Sequence, residues 1–193
     1  MKKNLGKNAR RFILSFLGSL TTAAIFYGGG NYINKQTPYY NFFSNFISDL
    51  GRTTSHSGDD NTISLSFFII GMLIQVFGAF YFLYNAADYF KNDKPKVTIL
   101  AKISAAIGSI SLLGVILTPA DVPSLYFLHI LFANSVFNCS FVTLSIYGYL
   151  FYTKGLKNVT YSLLLCSIVV LGYIVFLEIC LLYTSPSPRD MPR

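Results

Sequence analysis

An all-α fold, a polytopic bundle of transmembrane helices, is what this sequence predicts, and three observations predict it. The composition is 53% hydrophobic and 12% charged, with a mean hydropathy of +0.51, whereas a soluble domain carries about 25% charged residues. Apolar runs of about 20 residues, the length that crosses a hydrocarbon core, recur along the chain. Lys and Arg gather in alternate connections between those runs. A net charge of +7 would alone suggest a nucleic-acid partner, but short basic clusters between apolar runs read as membrane topology, with no nucleic acid implied.

The first eleven residues hold Lys2, Lys3, Lys7, Arg10 and Arg11 and no acid. The apolar run from Phe12 extends through Gly28, Gly29 and Gly30 to Ile33, giving a first span over about 12–33. No small-x-small cleavage site closes it, so it reads as an uncleaved helix rather than a signal peptide. The glycines end or loosen that helix at the far interface. The stretch 39–52 is too polar to span and too aromatic for a solvated loop. It predicts a short interfacial helix over Asn41–Leu50, ended by Gly51.

Asp60, Asn61 or Thr62 then caps a second span over 63–84. Lys91, Lys94, Pro95 and Lys96 break the chain before a third span over 97–117, where Lys102 lies one turn in and snorkels. The connection 118–124 has neither Lys nor Arg and leads to a fourth span over 125–152. Lys154 and Lys157 precede a fifth over 159–179. With Met1 cytoplasmic, the inner segments hold eleven basic residues and the outer ones two, Lys35 and Arg52. That bias predicts a multi-pass protein of the cell membrane with its N-terminus in the cytoplasm.

Residues 180–193 read as foreign to the fold. The run from Cys180 to Asp190 matches a translated transposase-type sequencing adapter, and an adapter junction fits the codon of Ile179. The expectation is a single membrane domain over 1–179, with a sixth helix lost to truncation and an artefactual tail. Without that tail the charge is 13 − 7 = +6.

Small and polar residues predict how the helices pack. Ala101, Ala105 and Ser109, with Ser104 and Gly108, give the third span a face for close approach. The fourth carries two polar stripes, one of Asn134, Asn138 and Ser145 and one of His129, Ala133, Ser140, Thr143 and Tyr147. Both stripes should face protein rather than lipid.

The outer face collects Asp49, Arg52, His56, Asp59, Asp60, Asp121 and His129. In the last turn of an Asn41–Leu50 helix, Asp49 would oppose the helix dipole and so need a partner: Arg52, a ligand or a metal. His129 lies five residues after Ser124, about 7.5 Å along a helix, within reach of Asp49 and Asp121. Chemistry is otherwise sparse. Two histidines fall short of a three-ligand zinc site unless acids complete it. No phosphate loop, nucleophile elbow or His-Glu-x-x-His motif occurs. Three cysteines without paired spacing suggest neither disulfides nor a zinc knuckle. No cofactor or metal is assigned.

The basic start, the segment ending Ile47-Ser-Asp-Leu-Gly51, the run Phe67-Phe-Ile-Ile-Gly-Met-Leu-Ile-Gln-Val-Phe-Gly78, and Pro119-Ala-Asp121 followed by His129 and Ala133 form one order. That order resembles a prokaryotic six-helix membrane family known as domain of unknown function 998, distantly similar to DRAM/Frag/Sfk-type proteins. The resemblance implies six helices and points to Ser48, Asp49, Gly51, Asp121 and His129; it implies no activity. The function expected is recognition of a lipid headgroup or small ligand in an outer-face polar pocket built from Ser48, Asp49, Arg52, Asp121 and His129, with no catalytic residue. A proton-coupled transporter using Asp49, Asp121 and His129 is the alternative, and a membrane metal-dependent hydrolase the third.

Overall fold

The computed structural model describes residues 2–184, with side-chain detail for 7–177 and 179. It is built of five α-helices: α1 Lys2–Ile25, α2 Thr62–Asp88, α3 Pro95–Leu117, α4 Tyr126–Thr153 and α5 Lys157–Thr184. Four of them, α2 to α5, are long and apolar enough to cross a membrane. The chain is therefore a helical, multi-pass membrane protein in its architecture. Of the adapter-like segment, 180–184 continues α5 and 185–193 lies outside the described residues.

The first helix departs from expectation. It stops at Ile25 rather than Ile33, because Gly29 and Gly30 take φ of 101° and 78°, outside the helical region. Its apolar part, Phe12 to Ile25, rises only about 21 Å at 1.5 Å per residue, short of a ~30 Å core. The second helix runs four residues past Tyr84, since Ala86 and Ala87 are strong helix formers and no Pro or Gly interrupts the chain before the lysines begin.

Each helix packs on the next, α1 on α2 through to α4 on α5. Gly71 and Gly78 let α1 approach closely: a Cβ at Gly78 would sit 2.9 Å from the Phe12 ring, and one at Gly71 3.0 Å from Ser19. This pairing is antiparallel, so the basic start of α1 shares an end with the α2–α3 connection. At that end Lys154 pairs with Asp93 at 2.5 Å, joining the α2–α3 and α4–α5 connections. The basic segments thus lie at one end of the bundle, and the connections 26–61 and 118–125 at the other.

The core forms two clusters along the bundle. One, towards the 26–61 end, gathers Ala23, Tyr27, Leu50, Phe68, Met72 and Val115. The other, at the basic end, gathers Ala87, Phe90, Ala101, Tyr147 and Leu150. On α3 the small residues Ala101, Ser104 and Ala105 are buried, while Ile99, Ile103, Ile107 and Ile110 line the opposite, exposed face. The polar stripes of α4 reach three neighbours. Thr143 shares a 2.9 Å hydrogen bond with Ser104 of α3, and Tyr147 donates to the Leu83 carbonyl of α2. On the other stripe, Ser145 meets Ser167 of α5 at 2.7 Å, but Asn138, expected to face protein, is exposed and donates back to the Asn134 carbonyl of its own helix.

Candidate functional site: a polar cap on the bundle

The segment 26–61 folds into a cap whose interior is polar. Three asparagines staple it. Asn31 Oδ1 accepts the backbone N–H groups of Ile33 and Asn34, closing a tight turn. Asn45 Nδ2 donates to the Gly30 carbonyl at 2.9 Å and to Asp49 Oδ2 at 3.3 Å. Asn61 Nδ2 donates to the carbonyls of Arg52 and Leu50, while its Oδ1 accepts from Gly28 N–H. All three are buried, so each replaces water with backbone partners that the irregular chain would otherwise leave unsatisfied.

The long interfacial helix is absent. Asn41–Ser44 makes a separate turn, and only Ile47–Gly51 is helical, as a 3-10 helix. Asn41 and Asn45 are the cause. The Asn41 side chain accepts from Phe43 N–H and the Asn45 side chain from Asn41 N–H, offering the backbone an alternative to helix. The electrostatic reasoning about Asp49 therefore reverses. It lies in the first turn of the short helix, and its Oδ2 accepts the Phe46 N–H at 2.8 Å, the end at which an acid is favoured.

Asp49 is only 2% exposed, and its nearest ring partner is His56, Nε2 to Oδ1 at 3.1 Å. Arg52 Nη1 is further, at 4.0 Å from the same oxygen. His56 returns to Asp49 on a tight turn made by Gly58 at φ 95° and closed by a bridge between Thr54 and Asp60. Its backbone N–H donates to Tyr27 Oη, and its ring lies 4.6 Å from that of Tyr32. Gly30 permits this crossing, since a Cβ there would fall 2.4 Å from the Ser57 nitrogen. Burial, followed by the Asp49 charge, pushes the Tyr40 hydroxyl up to about 12. Burial likewise raises Tyr27.

Asp121 ties the cap to the α3–α4 connection. Its carboxylate accepts the backbone N–H groups of Thr53 and Thr54 and the Thr53 hydroxyl, at 2.5–3.0 Å. Partial burial pushes its pKa up, but those donors outweigh it and hold the carboxyl below its ordinary value. His129 sits elsewhere: its Nδ1 donates to the Thr118 carbonyl at 2.5 Å, closing the end of α3 against α4. Ser48 is half-buried on the short helix. Of the predicted caps, Asn61 takes the N-cap position of α2 but its side chain makes no capping hydrogen bond, and Asp60 just before it accepts from the Thr62 hydroxyl and N–H.

The five candidate residues are thus divided among separate tasks. Asp49, Asp121 and His129 each bond a different partner rather than one another. The Arg52 side chain donates from Nε to the Thr54 carbonyl at 3.1 Å and makes no other side-chain hydrogen bond among the described residues; Nη1 lies 4.0 Å from Asp49 Oδ1, an ion pair too long to be a hydrogen bond, so its terminal N–H groups keep donors to offer. Sequence reasoning underrated His56 and missed Asn31 and Asn45. Those two asparagines carry a weak signal, each beside a Gly or aromatic turn with no apolar period. Among the described residues no group of three His, Cys, Asp or Glu is placed to hold a metal. No protein-family model, curated protein or solved structure matches the chain.

Tyr27 and Leu50 anchor the cap in the core below, while many of its other apolar side chains point outwards. Phe43 is 96% exposed and Ile33 87%, with Phe42, Tyr39 and Tyr32 also well exposed.

Proposed function

We propose that this protein sits in a cell membrane with its N-terminus in the cytoplasm, and that its outer cap recognises an anionic lipid headgroup. The single observation behind this reading is the cap's inverted build: a polar interior with aromatic side chains left outside, beside one guanidinium with unspent donors. Exposed Phe and Tyr suit the headgroup layer, where one edge of the ring is apolar and the other wet. Arg52 supplies the planar donors that match a phosphate, and Ser48 on the same short helix adds a hydroxyl. Lys35 is the other basic residue on this side and lies on an exposed turn. The reading keeps the six-helix family resemblance, and counts α1 as a further membrane-embedded helix packed on α2.

Asp49 and Asp121 act here as internal posts that shape the cap, not as ligand contacts. The transporter reading asks Asp49, Asp121 and His129 to exchange a proton, yet each is committed to its own partner.

Native mass spectrometry of protein reconstituted with phosphatidylglycerol and phosphatidylcholine tests the proposal. Arg52→Gln should retain about tenfold less phosphatidylglycerol, the 1.4 kcal/mol that losing one charge-assisted hydrogen bond removes. Lys35→Gln should retain it as wild type does. Equal retention by wild type and Arg52→Gln would refute the reading.

A further inference from the structure

Midway along the bundle, between the two core clusters, α2, α3 and α4 enclose a cavity of about 210 Å³. Gln75, thirteen residues from each end of α2, projects to it, with Ser109 and Gly108 of α3 and Cys139 and Ser140 of α4. Ser104, Ala105, Gly108 and Ser109 are the small residues of α3 that the sequence marks for close packing; α3 and α4 do approach there, a Cβ on Gly108 falling 3.3 Å from that of Cys139, and the same small side chains leave the cavity unfilled towards α2. The α2–α3 and α3–α4 pairs pack closely, whereas α2 and α4 lie farther apart and meet at the basic-end rim of the cavity, where Tyr147 bonds the Leu83 carbonyl. The cavity therefore opens sideways between α2 and α4, past the apolar Ala79, Val136 and Leu144.

Its polar groups are not all satisfied. Ser104 and Thr143 bond each other, and Ser140 bonds the Val136 carbonyl. The Gln75 amide and the Ser109 hydroxyl make no hydrogen bond among the described residues. At the centre of a bilayer an unpaired amide costs several kcal/mol, because hydrocarbon offers it nothing. No Asp, Glu, Lys, Arg or His lines the space, so a charged guest would be desolvated without a counter-charge and is disfavoured.

We propose that this cavity binds the hydroxyl head of an uncharged membrane amphipath whose hydrocarbon tail leaves between α2 and α4. A hydroxyl both donates and accepts, as the Gln75 amide does, so one group satisfies the Gln75 carbonyl oxygen and accepts from its Nε2 or from Ser109. An ester or alkane lacks the donor. The site is distinct from the cap and does not depend on the headgroup reading.

Cys139 in the cavity wall reports occupancy. In full-length protein carrying Cys166→Ser and Cys180→Ser, reconstituted in vesicles, N-ethylmaleimide should alkylate Cys139 about tenfold more slowly with saturating 1-dodecanol. Dodecane at the same membrane fraction should leave the rate unchanged, as should 1-dodecanol on the Gln75→Leu variant. Equal protection by dodecane, or protection that survives Gln75→Leu, overturns the proposal. So does an alkylation rate indifferent to 1-dodecanol, which would mark the cavity as holding water only.

Discussion

The cap and the helical bundle solve the same problem with opposite materials. In the bundle, close contact comes from small side chains, and several of the few polar groups that face inwards are hydroxyls paired across helices, such as Ser104 with Thr143 and Ser111 with Ser135. Its exposed residues are largely aliphatic, typified by the isoleucine row of α3. In the cap, Asn31, Asn45, Asp49, Ser55 and Asn61 are buried, and the exposed residues include Phe42, Phe43 and Tyr39. A helix satisfies its own backbone, so its side chains are free for packing. The cap has one five-residue 3-10 helix, so its side chains must satisfy the backbone, and the aromatics are left over for the surroundings. Directional polar bonds should therefore dominate the cap's stability and contribute little to the bundle's.

The largest expected break in that contrast comes at Asp49. Asp49→Ala removes the acceptor for Phe46 N–H and Asn45 and leaves His56 without its carboxylate. Breaking a buried pair of this kind costs about 3 kcal/mol. Hydrogen exchange should show protection lost across 41–58 while α4 keeps its own; unchanged protection in the cap would mean that its fold does not rest on this acid.

A smaller effect belongs to Asp121. Its pKa is lowered in the folded protein, so the stability it contributes is fully present above the ordinary Asp value near 3.9. That contribution is lost as pH falls through the lower folded value. Asp121→Asn should cost about 1 kcal/mol at neutral pH and flatten the acid limb of the melting curve below pH 4. An acid limb identical to wild type would show that Thr53 and Thr54 do not depend on the charge.

The bundle should respond least. Ser104→Ala deletes a hydroxyl pair worth about 0.6 kcal/mol in membrane helices, and Lys154→Gln, at an exposed pair, should leave the melting temperature unchanged. A Ser104→Ala loss as large as that of Asp49→Ala would erase the distinction between the two regions.

The two regions also differed in how far they could be read beforehand. Helix periods and basic clusters located α2 to α5 closely, because a helix places residues by spacing alone; the α4 stripes face protein at Thr143, Ser145 and Tyr147 but not at the exposed Asn138. In the cap, position depends on contacts between residues far apart in the chain. Asn41 and Asn45 diverted the expected helix into turns, and Gly29, Gly30 and Gly58 brought His56 back to Asp49. Asp121, sixty-eight residues from Thr53, was recognisable as an outer-face acid, but not as a tie. The first span was overextended for the same reason: apolar character alone did not register two glycines at positive φ.

The account's central claim is that the cap's exposed aromatics are turned towards lipid. A nitroxide on Phe43→Cys, in protein lacking the three native cysteines and reconstituted in a bilayer, tests it by power saturation. The prediction is faster relaxation by oxygen, which concentrates in lipid, than by a water-soluble nickel chelate. The reverse order, with the chelate dominant at this position, would place the cap in water and contradict the account.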